Sequence, residues 1–535
     1  MLADIFRRIC SFMVFVFFLN GSVIVFATDY YIDSNSGDDE NDGTSPDSPW
    51  KTLSKVSSMT FQPGDNIYFK RGTMYSGCAV IKGDGTKNNP ITVSAYGSGN
   101  PPKFTNPNFN NLYGRALYIT GDYIIIDGLF FYACGNAQPG ESNDALKVGA
   151  VFIDVGSDHI TVRNCEFYDC AIGVNTVGLY TKINNNNFYD FNRWLWYPNW
   201  GPIGVVIGNA YAEVSNNTFS DIYKVGGTFG ADGGAIEIDD RFFGQSVHDV
   251  KIHHNVSSHC YGFLEVESQV RGENIDIYYN VSYDYQQFVF YWGGHNSKIE
   301  NNTVIRTLPP LGNPPSVNTV FCMAYGFGST PLVNDHKPFI VRKNIFVVGN
   351  GLKVWSANTV PYKGCDLGFE EAVKENNLYY CIDGSTDDPH GLTPGPGELV
   401  NVDPKFVGFD HDDYHLQPDT PCPDWGAYPL LTGGFKGGNT RPEEFGLRRN
   451  YPNSLKSSTA IIFGIPVEPT VRISIYNMLG QIVTYMDYKN LSPGIYSYTW
   501  DSRSIGGIVA PSGVYFCELT SGDRFKDVKK MILLR

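Results

Sequence analysis

Residues 250–260 read VKIHHNVSSHC, and residues 275–285 read IDIYYNVSYDY. Each opens with alternating apolar and polar residues, turns at an asparagine and resumes with a valine. Alternation of period two marks a strand with one buried face. The same plan returns as HITVRNCEFYDC (159–170), TKINNNNFYDF (181–191), AEVSNNTFSDI (212–222), SKIENNTVIRT (297–307) and FIVRKNIFVVG (339–349). Aligning the corners places Asn186, Asn217, Asn255, Asn280, Asn302 and Asn344 in one series, with separations of 31, 38, 25, 22 and 42 residues.

A minimum near 22 residues with variable additions is the pattern of a coiled solenoid whose insertions loop out on one face. Asparagine tolerates left-handed backbone and can hydrogen-bond along a stack of corners, so its recurrence has a physical cause. A propeller needs longer, more regular units, and a leucine-rich repeat needs its Leu/Asn ladder. The expected fold is all-β: a right-handed parallel β-helix over residues 28–428, then a small immunoglobulin-like β-sandwich.

The flanks carry a resemblance. YYIDSNSGDDENDGTSPDSPWKTLSKV (30–56) followed by QPGDNIYFKRGTMYSG (62–77) resembles the N-terminal cap of secreted β-helix proteins of the pectate-lyase-like superfamily. LVNVDPKFVGFDHDDYHLQPDTPCPDWGA (399–427) resembles their closing segment. The resemblance implies this fold, a place outside the cell and carbohydrate-related activity. The acidic run 33–43 lacks EF-hand spacing and reads as a surface turn.

The first 27 residues read as a secretory signal peptide: Arg7 and Arg8, then an apolar run, then Val25-Phe26-Ala27 at the cut. After a Gly- and charge-rich linker at 429–450 comes a unit at 451–535 whose alternation at Val471, Ile473 and Ile475 and turns at Pro493-Gly494 and Ser512-Gly513 read as a sandwich. Its YPN, IYNMLGQ, LSPGIY, WD, SGVYF and terminal KKMILLR resemble the C-terminal sorting domain of the type IX secretion system, with Ser454 where that pattern usually has Pro. The resemblance implies Sec export to the periplasm, engagement of the type IX machinery, outer-membrane translocation, and release or surface attachment.

Net charge is −15, from 40 basic and 55 acidic residues, which argues against nucleic acid as a partner. A monomer is expected. Tyrosine (34), phenylalanine (35) and tryptophan (8) are frequent, as suits a protein that handles sugars. Of eleven cysteines one lies in the leader, and the others show no zinc spacing. They read chiefly as small buried hydrophobes, although Cys165 and Cys170 can pair.

Two acidic strands stand out: GGAIEIDD (233–240) and GFLEVES (262–268). Glu265 lies ten residues past Asn255, and Phe290 ten past Asn280, so Phe290 should neighbour Glu265, and Trp292 should neighbour Glu267. Ile236, Ile238, Leu264 and Val266 then face inward, and the acids face solvent or a groove. If the two strands pair, Glu237 lies beside Glu265 and Asp239 beside Glu267. Glu237, Asp239, Glu265 and Glu267 are the candidate catalytic carboxylates, Phe290 and Trp292 a sugar platform, and Trp194, Trp196 and Trp200 of NRWLWYPNW (192–200) further substrate-binding residues. Asp232 reads equally as a turn former or as another catalytic acid.

Crowded carboxylates push their proton affinities apart, which glycoside hydrolysis requires. The expected function is a secreted glycoside hydrolase cleaving a polysaccharide with no cofactor or metal. The alternatives are a calcium-dependent polysaccharide lyase and a non-catalytic glycan-binding surface protein. LEVES resembles the acidic calcium-binding strand of β-helix lyases acting on chondroitin and alginate, which implies Ca²⁺ on Glu265 and Glu267. Those lyases place a Lys soon after the strand and an Arg-His pair one coil later. Here SQVRGEN (268–274) and FYWGGH (290–295) occupy those positions, leaving Lys251, His253, His254 and Arg271 as candidate bases. No HExxH, GxSxG, Walker or dinucleotide motif appears in a suitable context.

Overall fold

A computed structural model describes residues 27–107, 113–136, 147–197, 199–227, 230–239, 246–266, 272–291, 294–311, 320–323, 340–355, 372–409, 412–429, 445–451, 454–455, 459–465, 470–488, 494–521 and 525–533. The expected signal peptide lies outside them, apart from its last residue. Among the described residues, no helix is long and apolar enough to cross a membrane.

The chain winds through three parallel sheets. The first runs from Asp29–Ile32 to Val373–Glu375, the second from Met74–Ser76 to Leu399–Val400, and the third from Ala79–Ile81 to Phe321–Met323. One coil shows the plan: His248–His253 in the first sheet, Val256–Ser258 in the second, Leu264–Val266 in the third, then a return to the first at Gly272–Tyr278. All pairings between coils are parallel, and parallel crossovers wind right-handed.

The corner between the first and second sheets is tight and repetitive, and its asparagines form a buried ladder. The Asn186 side-chain amide donates to Asn217 Oδ1 at 3.0 Å, and the same bond links Asn217 to Asn255, Asn255 to Asn280, Asn280 to Asn302, Asn302 to Asn344 and Asn344 to Asn377. Each Oδ1 also accepts the backbone N–H of the preceding rung. Every rung is fully buried. Glu398 closes one end by accepting from Asn377 at 2.8 Å, and Cys165 N–H donates to Asn186 at the other.

This separates two roles that the sequence reading gave to one residue. The ladder asparagines do not adopt the left-handed backbone; the residue just before each one does, namely Asn185, Asn216, His254, Tyr279, Asn301, Lys343 and Asn376, as does Asn164 before Cys165. The rung supplies the hydrogen bonds, and its predecessor supplies the turn.

Inside, Phe131, Phe167, Phe188 and Phe219 stack at 4.8, 4.6 and 4.9 Å between ring centroids. Helix α1, Leu53–Ser58, is capped by Thr52 and buries Leu53 and Val56 at the N-terminal end. The closing segment folds back over the outer face of the second sheet, where Phe406, Tyr414, Leu416 and Cys422 pack against Val281, Ile305 and Ile345. Among the described residues Cys78, Cys134, Cys165, Cys170, Cys260, Cys381, Cys422 and Cys517 are free thiols, and all but Cys78 are buried. Cys165 and Cys170 therefore do not pair. They flank the strand Glu166–Tyr168, and Cys170 interacts with Cys134 of the preceding coil instead.

The tail is a sandwich of a three-stranded and a five-stranded sheet, antiparallel except where Ser454–Leu455 pairs parallel with Phe525–Leu533, around Ile461, Phe463, Val471, Ile473, Trp500, Tyr515 and Leu519. Its first strand, Gly446–Tyr451, pairs with Thr459–Ile465, so the sandwich begins inside the stretch read as linker.

Asn255→Ala leaves two buried donors of Asn217 unsatisfied, and its expected cost is about 2–5 kcal/mol. Asn216→Gly, at a left-handed position, is expected to stay within about 1 kcal/mol of the parent. Chemical denaturation of both variants measures the contrast.

Candidate active site

Insertions flank the third sheet. Residues 192–202 lie between Phe191 of the second sheet and Ile203 of the third. One coil on, Lys224–Val225 and Ala231–Asp232 form a hairpin before Gly234. Both insertions enter from the second-sheet side, and the sheet beside them is the natural floor of a groove.

Successive outward positions on that floor are Phe152, Asn175, Val206, Glu237, Glu265 and Phe290, each paired in register with the next. Glu237 therefore stands directly beside Glu265, and Glu265 beside Phe290, as the spacing indicates. Ile236, Ile238, Leu264 and Val266 fill the core. Strand neighbours are about 4.8 Å apart, and like charges at that distance repel. Both glutamates are half-buried. Asp239 continues the strand, its N–H donating to the Ile207 carbonyl at 2.9 Å. It is only 1% exposed, an enclosed acid rather than an open one.

The tryptophan loop lies on the preceding coil of the same face. Leu195 is buried with Ile172, Ile203 and Val206, and Trp200 packs against that cluster. Leu195 and Trp196 both donate backbone N–H groups to the Trp200 carbonyl, and the Trp196 and Trp200 rings meet edge-on at 4.6 Å. Arg193 pins the loop through Asp169 at 2.8 Å and the Gly135 carbonyl at 3.2 Å. The three tryptophans are not one flat surface. Trp200 is turned onto the sheet, Trp196 is 37% exposed, and Trp194 stands 5.6 Å from the Lys224 ammonium.

Phe290 departs from its expected role. It neighbours Glu265 in register but is only 5% exposed. Glu267 and Trp292 lie outside the described residues.

Sequence reading left two polar residues unplaced. The Asp232 carboxylate accepts the Gly201 N–H at 3.0 Å, tying the end of the tryptophan loop to the hairpin ahead of Glu237. Gln287 is buried on the coil after Glu265. Its only sequence signal is a glutamine pair directly before the apolar run Phe288–Tyr291.

The bases considered for lyase chemistry sit elsewhere. Lys251 and His253 belong to the first sheet, where Lys251 pairs in register with Glu213 and Asp276, and His254 forms the corner that follows. His253 stacks on Tyr278 at 4.7 Å and stands 3.4 Å from Glu213. Its hydrogen bond draws the Glu213 carboxyl down from 4.5 to about 2. Arg271 lies outside the described residues. Among the described residues, no three His, Cys, Asp or Glu side chains gather as a metal site.

Comparison with known proteins agrees with this architecture. Residues 71–243 match the family described as a right handed beta helix region, and residues 449–534 match the secretion system C-terminal sorting domain. The chain thus carries a β-helix and a type IX sorting domain, which directs it to the cell surface or the extracellular space. Over 80 residues it is 39% identical to a lacto-N-biosidase of Bifidobacterium longum, a match covering 14% of this chain and 5% of that protein's length. Similar solved structures include the GH136 lacto-N-biosidase of Eubacterium ramulus (TM-score 0.44, 14% identity, 70% of this chain and 68% of that one) and a rhamnogalacturonan lyase (TM-score 0.40, 15% identity, 60% and 82%).

The Glu213 carboxyl lies below its ordinary 4.5, so its stabilising contribution is present above about pH 4.5 and is lost as pH falls toward 2. Acid-denaturation curves of Glu213→Gln should lack that part of the parent's loss of stability. Matching curves would show that the His253 contact does not stabilise the fold.

Proposed function

We propose that the protein is an exported glycoside hydrolase that cleaves a polysaccharide in the groove over the third sheet. The observation that carries this is the register of Glu237 with Glu265 on an outward face, beside enclosed Asp239 and next to the loop holding Trp196 and Trp200. Crowded carboxyls do not all ionise together. One that keeps its proton can protonate the departing glycosidic oxygen, while an ionised neighbour attacks the anomeric carbon or takes a proton from water. The tryptophans offer faces for the apolar side of a sugar ring. The local identity to a protein named lacto-N-biosidase supports glycosidase chemistry at the level of a short shared stretch.

A lyase using Ca²⁺ on Glu265 and Glu267 is the second reading, and the acidic strand favours it. Lys251, His253 and His254 weaken it, because they occupy the first sheet and the corner after it, away from the carboxylates.

The test is a polysaccharide and oligosaccharide panel incubated with the full exported chain, reading reducing ends and absorbance near 235 nm, with and without EDTA. Reducing ends that persist in EDTA, without the absorbance, are expected. Glu237→Gln, Glu265→Gln and Asp239→Asn are the test variants. At least two should lower kcat by about a thousandfold, within the range of acid–base and nucleophilic roles, and Lys251→Ala should leave it unchanged. Absorbance at 235 nm that disappears in EDTA would replace the hydrolase with the lyase. Glycan retention with neither signal would make the groove a binding surface.

A further inference from the structure

The position three residues ahead of Glu237 follows its own column across the third sheet. Ile172 pairs with Ile203, and Ile203 with Gly234. The same register, extended from Ile236 with Leu264 and from Leu264 with Val289, sets Gly262 and then Gln287 next in line. The two isoleucines are buried under Leu195 and Trp200. At Gly234 the column carries no side chain. A Cβ built there would stand 3.2 Å from the Gly262 carbonyl oxygen, a tight approach. The Gly234 backbone is not in the left-handed region, so the glycine answers to this close approach of the next coil rather than to a backbone demand. It also leaves the column bare of a side chain, a shelf beside the Ile203–Trp200 wall.

The far side of the shelf is closed by Gln287. Its carboxamide lies over Gly262, with the amide nitrogen 3.3 Å and the amide carbon 3.4 Å from where a Cβ would stand. Gln287 is 6% exposed, and its Oε1 is enclosed without a hydrogen-bond partner. A buried amide oxygen with no donor is a standing cost, and a ligand hydroxyl or N–H offers what is missing. The Ile203 and Gln287 columns are three strand spacings of about 4.8 Å apart, and with the Gln287 carboxamide reaching back over Gly262 the room left between them is that of about one pyranose ring. Glu237 and Glu265 lie three positions further along the same strands.

We propose that Gly234 and Gly262 form the floor of a single-sugar subsite and that Gln287 is a substrate-positioning residue, its carboxamide hydrogen-bonding a polar substituent of the ring beside the carboxylates. This rests on the glycosidase reading and adds the place where the sugar is held. Gln287 takes no part in proton transfer; it fixes the ring so that the scissile bond faces Glu237 and Glu265.

Two variants test the subsite. Gln287→Met keeps the volume and removes the polar group, and Gly234→Leu fills the shelf as Ile203 does one coil earlier. Both are made in the full chain, in the active protein and in a Glu265→Gln background that holds glycan without turnover. Binding is read on an array of neutral and acidic oligosaccharides, cleavage on 4-nitrophenyl mono- and disaccharide glycosides, and the fold by thermal melting.

Gln287→Met should weaken array binding and lower kcat/KM by about 10- to 100-fold, mostly through KM, with a melting temperature equal to or above the parent's. A merely structural glutamine would lower the melting temperature instead. Gly234→Leu should abolish binding while remaining folded. If both variants bind and cleave like the parent, the subsite is wrong and the hydrolase reading stands. If the Glu265→Gln parent binds glycans and the variants do not, but the active protein cleaves nothing, the hydrolase reading fails and the subsite stands. A parent that binds no glycan on the array overturns the subsite as well.

Discussion

The asparagine ladder is the constraint from which the rest of the molecule follows. A parallel sheet tolerates slippage wherever its side chains are interchangeable, and a slip of one residue exchanges inside for outside. Here each coil is locked to the next by a side-chain amide that bonds only in one register, in a corner with no room for insertion. From Asn186 to Asn377 the bonds stay between 2.9 and 3.1 Å. With that corner fixed, additions to the chain can leave only on either side of the third sheet. The loops bordering the groove are thus a consequence of the ladder, as is the alignment of Glu237 with Glu265.

The polar groups buried in the fold are paired in ways that support this lock. Glu398 accepts from Asn377, Tyr379, His390 and the Gly395 N–H, so the ladder ends in a saturated carboxylate rather than in a loose donor. In the coils carrying Glu265 and Phe290 the phenylalanine stack gives way to Ser257 and Ser282, which bond Asp284 at 2.8 and 2.5 Å. Arg306 faces the same aspartate at 3.9 Å and donates to the Ser282 carbonyl and hydroxyl. Burial draws its guanidinium down to about 10, which still leaves it charged at neutral pH. Breaking such a pair on one side is costly, whereas the intact pair adds little net stability. Its effect is to fix the interior of the two coils whose outer faces hold the acids.

Much of this was legible because the distance from corner to third strand is constant where nothing is inserted. Ten residues separate Asn255 from Glu265 and Asn280 from Phe290, so their adjacency followed from counting. The link from Asn217 to Glu237 crosses the hairpin at Lys224–Asp232, and only the coordinates fix its register. Burial was less legible than position. Phe290 and Asp239 sit on outward columns yet are covered, because exposure depends on what packs over a strand and not on its alternation. The left-handed turns were assigned to the right corner but the wrong residue, since Asn-Asn pairs such as Asn185-Asn186 hide which member turns and which bonds. Gln287 had no periodic signature; its meaning comes from the glycine opposite it and from an amide oxygen without a donor.

The most direct test of the account is a crystal structure of the Glu265→Gln chain soaked with an oligosaccharide that the active protein cleaves. The account predicts a sugar ring over Gly234, against Trp200, with its anomeric carbon facing Glu237 and residue 265. A glycan bound along the first sheet near Lys251 and His253, or bridged to residues 265 and 267 by a calcium ion, would contradict it.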